Sequence, residues 1–551
     1  MEQLAKWLLY DPERPLLFTQ LYFWGFFAFV LIVYSFIHKE KAARNAFLFL
    51  TSLFFYYKTS GFFFLILIFS TLVDFVIGHA IHGSKSKTAK QLWVALSVSV
   101  NLLVLGYFKY AYFFADFVNA YFGTSWVPVN HFALLANSSL GTDFVFDRIL
   151  LPVGISFFTF QTISYSVDIY RGYIKPVRSI LDFGFYVSFF PQLVAGPIVR
   201  ASEFVPQLYK KYHLDKLTFG MAIFWILNGL IKKVMLADYL AVNFVDRVFA
   251  NPGLYSGFEN LMALFGYSIQ VYADFSGYTD IAIGVALLLG FRLPVNFNSP
   301  YKAVSVGDFW KRWHISLSTW LKDYLYIPIG GNRRGSIFTY LALLTILVFV
   351  ALISPIWWVS LLVAGIILLF FLLMQTIQGF RLWVENNVNL MLTMLLGGLW
   401  HGSSWNFVMW GGLNGLGLVV YKLWRKVSPW ENKSKWYFRA WGIVLTFTFI
   451  TFTRTWFRNE SFEAATLMLK QIGGKFQGEL AGEITLANWS VFGMMLLGMI
   501  IHWLPGKFKE AYRKRFALSH WGLQLFIAFL SVVLVYQVLS ADLQPFIYFA
   551  F

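Results

Sequence analysis

Two histidines set among apolar residues are the side chains of this chain best suited to chemistry. His401 sits in Gly-Gly-Leu-Trp-His-Gly-Ser-Ser-Trp-Asn (397–406), within a run that holds no Asp, Glu, Lys or Arg between Glu385 and Lys422. A helix rising ~1.5 Å per residue would set it ~24 Å from Glu385, deep in a hydrocarbon layer about 30 Å thick. An ionisable group at such depth is costly and marks a functional site that faces protein or a water-filled cavity. Desolvation disfavours imidazolium and leaves a neutral ring that can accept a proton. A base of this kind can take the proton of a hydroxyl as that hydroxyl attacks a substrate. The His401 region reads as one long helix or as two half-helices joined at the glycines; on one long helix Ser404 and Trp405 follow at i+3 and i+4 and share the face of His401. Trp405 then offers packing and Asn406 a hydrogen bond, roles that a purely structural reading accommodates equally. Gly397, Gly398, Gly402, Gly411 and Gly412 let another helix or a ligand come close. The plain alternative for His401 is a core histidine in a glycine-packed helix pair.

His314 lies in the second stretch, Asp-Phe-Trp-Lys-Arg-Trp-His-Ile-Ser-Leu-Ser-Thr-Trp-Leu-Lys-Asp-Tyr-Leu-Tyr-Ile-Pro-Ile-Gly-Gly-Asn-Arg-Arg-Gly (308–335). The segment 301–335 carries too many charges for a simple span and too many aromatics, Trp313 among them, for a free loop. It is expected to be re-entrant or interfacial, because irregular backbone at membrane depth survives only when buried in protein or lining a cavity. Its end, Gly330-Gly-Asn-Arg-Arg-Gly335, offers Arg333, Arg334 and backbone N–H groups to the phosphates of a donor. An anchor on the positively charged inner side accounts for the two arginines equally well.

Other chemistries are weaker. Ser404 beside His401 lacks the elbow and third partner of a serine nucleophile. Two histidines 87 positions apart, with no HExxH and no cysteine anywhere, give no metal site. Gly411-Gly-Leu-Asn-Gly-Leu-Gly417 imitates a dinucleotide fingerprint but follows no strand, so helix packing is the reading.

The two histidine stretches together resemble the signature of the membrane-bound O-acyltransferase (MBOAT) superfamily, in its alginate O-acetyltransferase-like branch. Leu151–Gly172 (LPVGISFFTFQTISYSVDIYRG), Phe189–Arg200 (FFPQLVAGPIVR), Asp274–Asp280 (DFSGYTD) and Pro-Phe-Ile-Tyr-Phe (545–549) are similar to that branch as well. The resemblance is strongest over 151–457. It implies that His401 is the catalytic histidine and that His314 is the second polar position, which orients the acceptor, stabilises the oxyanion or is itself the base. It also implies a central path open to an acyl donor on one face and an acceptor on the other.

Composition agrees with a membrane body. The chain has 551 residues, of which 58% are hydrophobic, 21% aromatic and 13% charged. Soluble domains average about twice that charged fraction. The net charge of +17 sits in short loops between apolar runs, which positive-inside topology explains better than nucleic acid. Zero cysteines exclude disulfides and a cysteine acyl-enzyme.

The expected fold is therefore an all-α polytopic membrane protein, a single domain over 1–551 with about 11–13 transmembrane helices of ~20 residues plus the re-entrant segment. In chain order, 1–15 reads as interfacial, 16–37 as the first span, and 92–117 as a later one. Asp74 reads as an intramembrane structural carboxylate. The polar stretches 120–147 and 459–488 are assigned outside, and the basic stretches 84–90, 422–439 and 507–515 to the cytosol. Asp274 and Asp280 read as brackets of a turn between two spans, and 458–551 holds the last spans.

The functional expectation is an integral-membrane O-acyltransferase of the bacterial cytoplasmic (inner) membrane. It would move acetyl groups from a cytosolic thioester such as acetyl-CoA toward a cell-surface polysaccharide hydroxyl, directly or through an extracytoplasmic partner. No permanently bound cofactor and no nucleic acid are expected. The rivals are a D-alanyl transferase fed by a carrier protein, and a transporter or flippase without chemistry. Transporters tend to show repeated halves, and no second histidine-bearing copy is present.

Overall fold

The computed structural model describes residues 8–11, 15–141, 145, 147–353, 357–429 and 435–539. The Pro-Phe-Ile-Tyr-Phe motif (545–549) and most of the N-terminal interfacial segment lie outside these. Every described element is a helix, and no strand occurs among the described residues. The protein is an all-α polytopic membrane protein. Among the described residues, three helical stretches, Lys41–Gly83, Lys87–Phe122 and Lys216–Ala250, are long and apolar enough to cross a membrane. Two further pairs pass the same test only together: Gly478–Ala487 with Trp489–Trp503, bent by 89°, and Gly506–Leu518 with Trp521–Gln537, bent by 114°.

The chain divides into two compact units. The first comprises Met1–Asn251, Phe265–Asn296 and Gln477–Phe551. Its interior holds polar groups that find partners inside, as an apolar solvent demands. Asp74 is fully buried and accepts from the Ser97 hydroxyl, from Asn101 Nδ2 at 2.7 Å and from Ser166 Oγ at 3.2 Å, tying three helices together.

The turn expected between Asp274 and Asp280 does not exist: both lie within one helix, Gly257–Leu288. Lys233 Nζ lies 2.6 Å from Asp274 and Lys232 Nζ 2.7 Å from Asp280, so the charges are paired within the helix pair and do not end the span. Gly277 and Gly229 allow this approach, since a Cβ on Gly277 would lie 2.8 Å from the Gly229 carbonyl oxygen.

The second unit comprises Pro252–Leu264 and Phe297–Phe476 and contains both histidines. The segment 301–335 is broken into short pieces. These are Val306–Trp310, Ile315–Trp320 and a π-helical turn Leu321–Tyr326, followed by turns up to Arg333. Longer helices follow it: Ile337–Ile353, Trp357–Thr376, Gln378–His401, Trp405–Val427 and Trp436–Arg458.

Gln378–His401 and Trp405–Val427 form an antiparallel hairpin packed through glycine. A Cβ on Gly398 would lie 2.3 Å from the Phe407 carbonyl oxygen and 3.1 Å from the Gly411 Cα. One on Gly411 would lie 2.4 Å from the Met394 carbonyl oxygen. The glycine-rich run is thus a packing surface, as its sequence suggested.

Candidate active site

The hairpin ends the helix at His401. Gly402 is fully extended (φ −162°, ψ 155°), and a Cβ there would fall 2.0 Å from the Phe407 ring. The chain reverses through 402–404 and a new helix begins at Trp405. The expectation that Ser404 and Trp405 share a helical face with His401 is therefore wrong. Ser404 precedes the new helix in extended conformation and Trp405 is 49% exposed at its start. His401 is likewise not in mid-helix: it is buried by protein at the tip of a hairpin. Asn406 is buried and donates to the Asn459 carbonyl oxygen at 2.8 Å, which ties the hairpin tip to the end of Trp436–Arg458.

The His401 ring is enclosed by aromatics. Its centroid lies 5.0 Å from Trp400, 5.0 Å from Trp410 and 5.4 Å from Phe457. His314 joins this cluster, 6.2 Å from His401 and 5.7 Å from Trp400 between ring centroids. His314 is fully buried and His401 nearly so. Local sequence places His314 unusually: its φ of 44° and ψ of 53° are left-handed, at the position just before Ile315–Trp320. A non-glycine residue held there costs roughly 1–3 kcal/mol, and such strain collects at functional positions.

The preceding residue helps hold it. Trp313 lies 5.6 Å from Phe309 and 5.1 Å from Phe297, and its ring carries the Arg454 guanidinium at 4.9 Å. Arg454 is buried and donates from Nη1 to the Tyr301 hydroxyl at 2.8 Å. A cation over an aromatic face is worth about 2 kcal/mol or more once desolvated. Arg454 escaped the sequence reading because a basic residue near the end of an apolar run resembles a flanking anchor.

A cavity of about 230 Å³ leads away from His401. One wall is a stripe of the His401 helix, Leu390, Thr393, Met394, Gly397 and His401, spaced as one face of a helix. Leu317, Ser318, Leu321, Lys322 and Tyr326 form the facing wall, with Trp310, Trp410 and Leu418 between. The stripe runs ~16 Å from Leu390 to His401. Its lining is mostly apolar, and the exposed Lys322 stands on the facing wall next to Leu321, which meets the His401 helix at Gly397.

The same helix face continues beyond the cavity to Asn389 and Glu385. Asn389 Nδ2 donates to the carbonyl oxygens of Gly331 (3.1 Å) and Arg334 (3.2 Å), while Glu385 accepts from the Gly335 N–H at 2.7 Å. The loop 330–335 is therefore clamped to the His401 helix. The N–H groups of Gly330, Gly331, Arg333, Arg334 and Gly335 all donate within the protein. The expected cradle of backbone N–H groups is thus largely committed elsewhere, and any phosphate would fall to the exposed side chains of Arg333 and Arg334.

Comparison with known proteins decides what kind of machinery this is. The pattern of MBOAT, the membrane-bound O-acyltransferase family, matches residues 174–384. A probable alginate O-acetylase of Pseudomonas syringae pv. tomato is 37% identical over 429 residues, covering 77% of this chain and 69% of that protein. The chain belongs to the membrane-bound O-acyltransferase family. Within it the chain falls in the alginate O-acetyltransferase-like branch, and it is a multi-pass membrane O-acyltransferase. The peptidoglycan O-acetyltransferase of Helicobacter pylori is 33% identical over 472 residues, covering 81% of this chain and 76% of that protein. The teichoic acid D-alanyltransferase of Bacillus subtilis is 25% identical over 316 residues, covering 54% and 67%. The matched family region includes His314 and the loop 330–335 and ends before His401.

Proposed function

We propose that this enzyme is an O-acetyltransferase of the bacterial inner membrane that carries acetyl groups from a cytosolic thioester toward a cell-surface polysaccharide. The observation that carries the reading is the burial of His314 and His401 together beside an apolar cavity. The stronger likeness to two O-acetylating relatives than to the D-alanyltransferase favours acetyl over D-alanyl.

Charge asymmetry gives the direction. A cytosolic 422–439 stretch puts the C-terminal end of Trp405–Val427 inside. The antiparallel His401 helix then starts inside and delivers His401 toward the outer side. A donor such as acetyl-CoA would lay its thioester along the cavity from the Leu390 end, with Arg333 and Arg334 near its phosphates.

An acceptor hydroxyl would approach from the hairpin tip, about 3 Å from ring nitrogens of both histidines. Its oxygen attacks the thioester carbonyl carbon while His401 takes its proton. His314 holds the hydroxyl by a hydrogen bond. The carbon–sulfur bond then breaks, and His401 returns the proton to the departing thiolate. The acceptor is a polysaccharide hydroxyl, or a hydroxyl on an extracytoplasmic partner that passes the acetyl group on.

Purified protein supplied with radiolabelled acetyl-CoA and a soluble polysaccharide or oligosaccharide acceptor tests this. Ester formation that disappears in His401→Ala is expected. Transfer of D-alanine from a charged carrier protein, with none from acetyl-CoA, would replace this reading with the D-alanyl one.

A further inference from the structure

Trp310 closes the short helix Val306–Trp310, which begins at a Ser305 side-chain cap on the Asp308 N–H at 3.2 Å. Its indole ring lies 5.8 Å from Trp410, the ring that packs at 5.0 Å against His401. It also lines the same cavity as His401. The indole Nε1 is buried and meets no acceptor among the described residues. A buried N–H without an acceptor is destabilising, so its presence here calls for a partner that arrives from outside.

The hydroxyl groups on the wall already donate within the protein. Ser318 Oγ donates to the Trp313 carbonyl at 3.3 Å, Thr393 Oγ1 to the Asn389 carbonyl at 2.7 Å, and the Tyr326 hydroxyl to Asn332 Oδ1 at 2.7 Å. A thioester lying in this cavity needs a donor where its carbonyl oxygen becomes negative.

We propose that the Trp310 indole N–H is a catalytic hydrogen-bond donor to the carbonyl oxygen of the acyl donor. It strengthens its hold as that oxygen takes up charge during attack of the hydroxyl. An indole serves well here because it donates and cannot accept, so it neither ionises nor competes with His401 for the acceptor proton. The inference rests on the reading of the cavity as the thioester's path to His401.

The experiment measures acetyl transfer from acetyl-CoA per folded protein in detergent, with kcat and donor KM separated, for Trp310→Phe, Trp310→Met and Trp310→His beside His401→Ala. Phe and Met fill space without an N–H, whereas His keeps a ring donor. The expected result is a kcat reduced by roughly 10²-fold in Phe and Met with KM little changed, and a smaller loss in His. If either folded variant lacking the N–H keeps wild-type kcat, or if His is no better than both, the inference is overturned. A rise in KM alone also overturns it, since that is ground-state binding. Should His401→Ala itself retain full transfer, the cavity reading fails first, and the donor role of Trp310 falls with it.

Discussion

His314 and His401, 87 positions apart in sequence, lie with ring centroids 6.2 Å apart at an interplanar angle of 71°. Two buried rings that close suit two jobs on one hydroxyl: removing its proton and holding its oxygen. His401→Ala is expected to lower turnover by roughly 10²–10⁴-fold while the protein accumulates normally in the membrane. His314→Asn should be milder than His314→Ala, because an amide still donates a hydrogen bond. Acetyl transfer by the purified variants checks both. Loss in both His314 variants with near-normal His401→Ala would move the base to His314. Normal esterification in all three would revive the transporter reading.

Arg333 and Arg334 are exposed on a loop whose N–H groups are mostly spent inside the protein. If their guanidinium groups hold donor phosphates, replacing both with Gln should raise the apparent KM for acetyl-CoA and leave kcat nearly intact, the mark of uniform binding. An unchanged KM at normal membrane abundance returns them to the anchor role. Asn389→Leu offers a contrast. It removes the donor to the Gly331 and Arg334 carbonyls, so the loop loses its clamp and thermal stability should drop along with any KM change.

The glycine hairpin should tolerate little. Gly398→Val places side-chain atoms against the Phe407 carbonyl and Gly411, an overpacking expected to cost on the order of 1–3 kcal/mol or more. Gly412→Ala, whose Cβ would meet only the Leu395 side chain at 3.4 Å, should be near neutral. Detergent-solubilised thermal midpoints compare the two. Equal midpoints would mean that the two helices do not pack through Gly398.

Much of the site was legible because the histidine stretches carry side chains that membrane helices rarely keep without use. What remained hidden was long-range. Gly402 and the serines after it sit in an uncharged run that reads equally as one long helix or as two half-helices joined at the glycines, and it takes the Phe407 ring against Gly402 to show which glycine stands at the break. Asp274 and Asp280 look like the ends of a turn until Lys232 and Lys233, from another helix, neutralise them. Trp310 was one tryptophan among several. What distinguishes it is an indole N–H left over when its neighbours' bonds are counted, on a ring in the wall of the His401 cavity, a combination that no local pattern encodes.

The proposed direction of transfer depends on which way the hairpin points. On the proposed topology the basic stretches would put the end of Trp405–Val427 in the cytosol, and the polar 120–147 stretch, which contains the helix His131–Leu140, outside. The chain has no cysteine, so single cysteines report without background. Ser434, a natural choice for the inner probe, lies outside the described residues; Val427, 75% exposed at the end of its helix, serves instead. In intact cells Ser138→Cys should react with a membrane-impermeant maleimide, and Val427→Cys should react only after permeabilisation. The opposite pattern would invert the hairpin. His401 would then face inward, the Leu390 end of the cavity would open to the outside, and a cytosolic thioester could not enter by the route proposed.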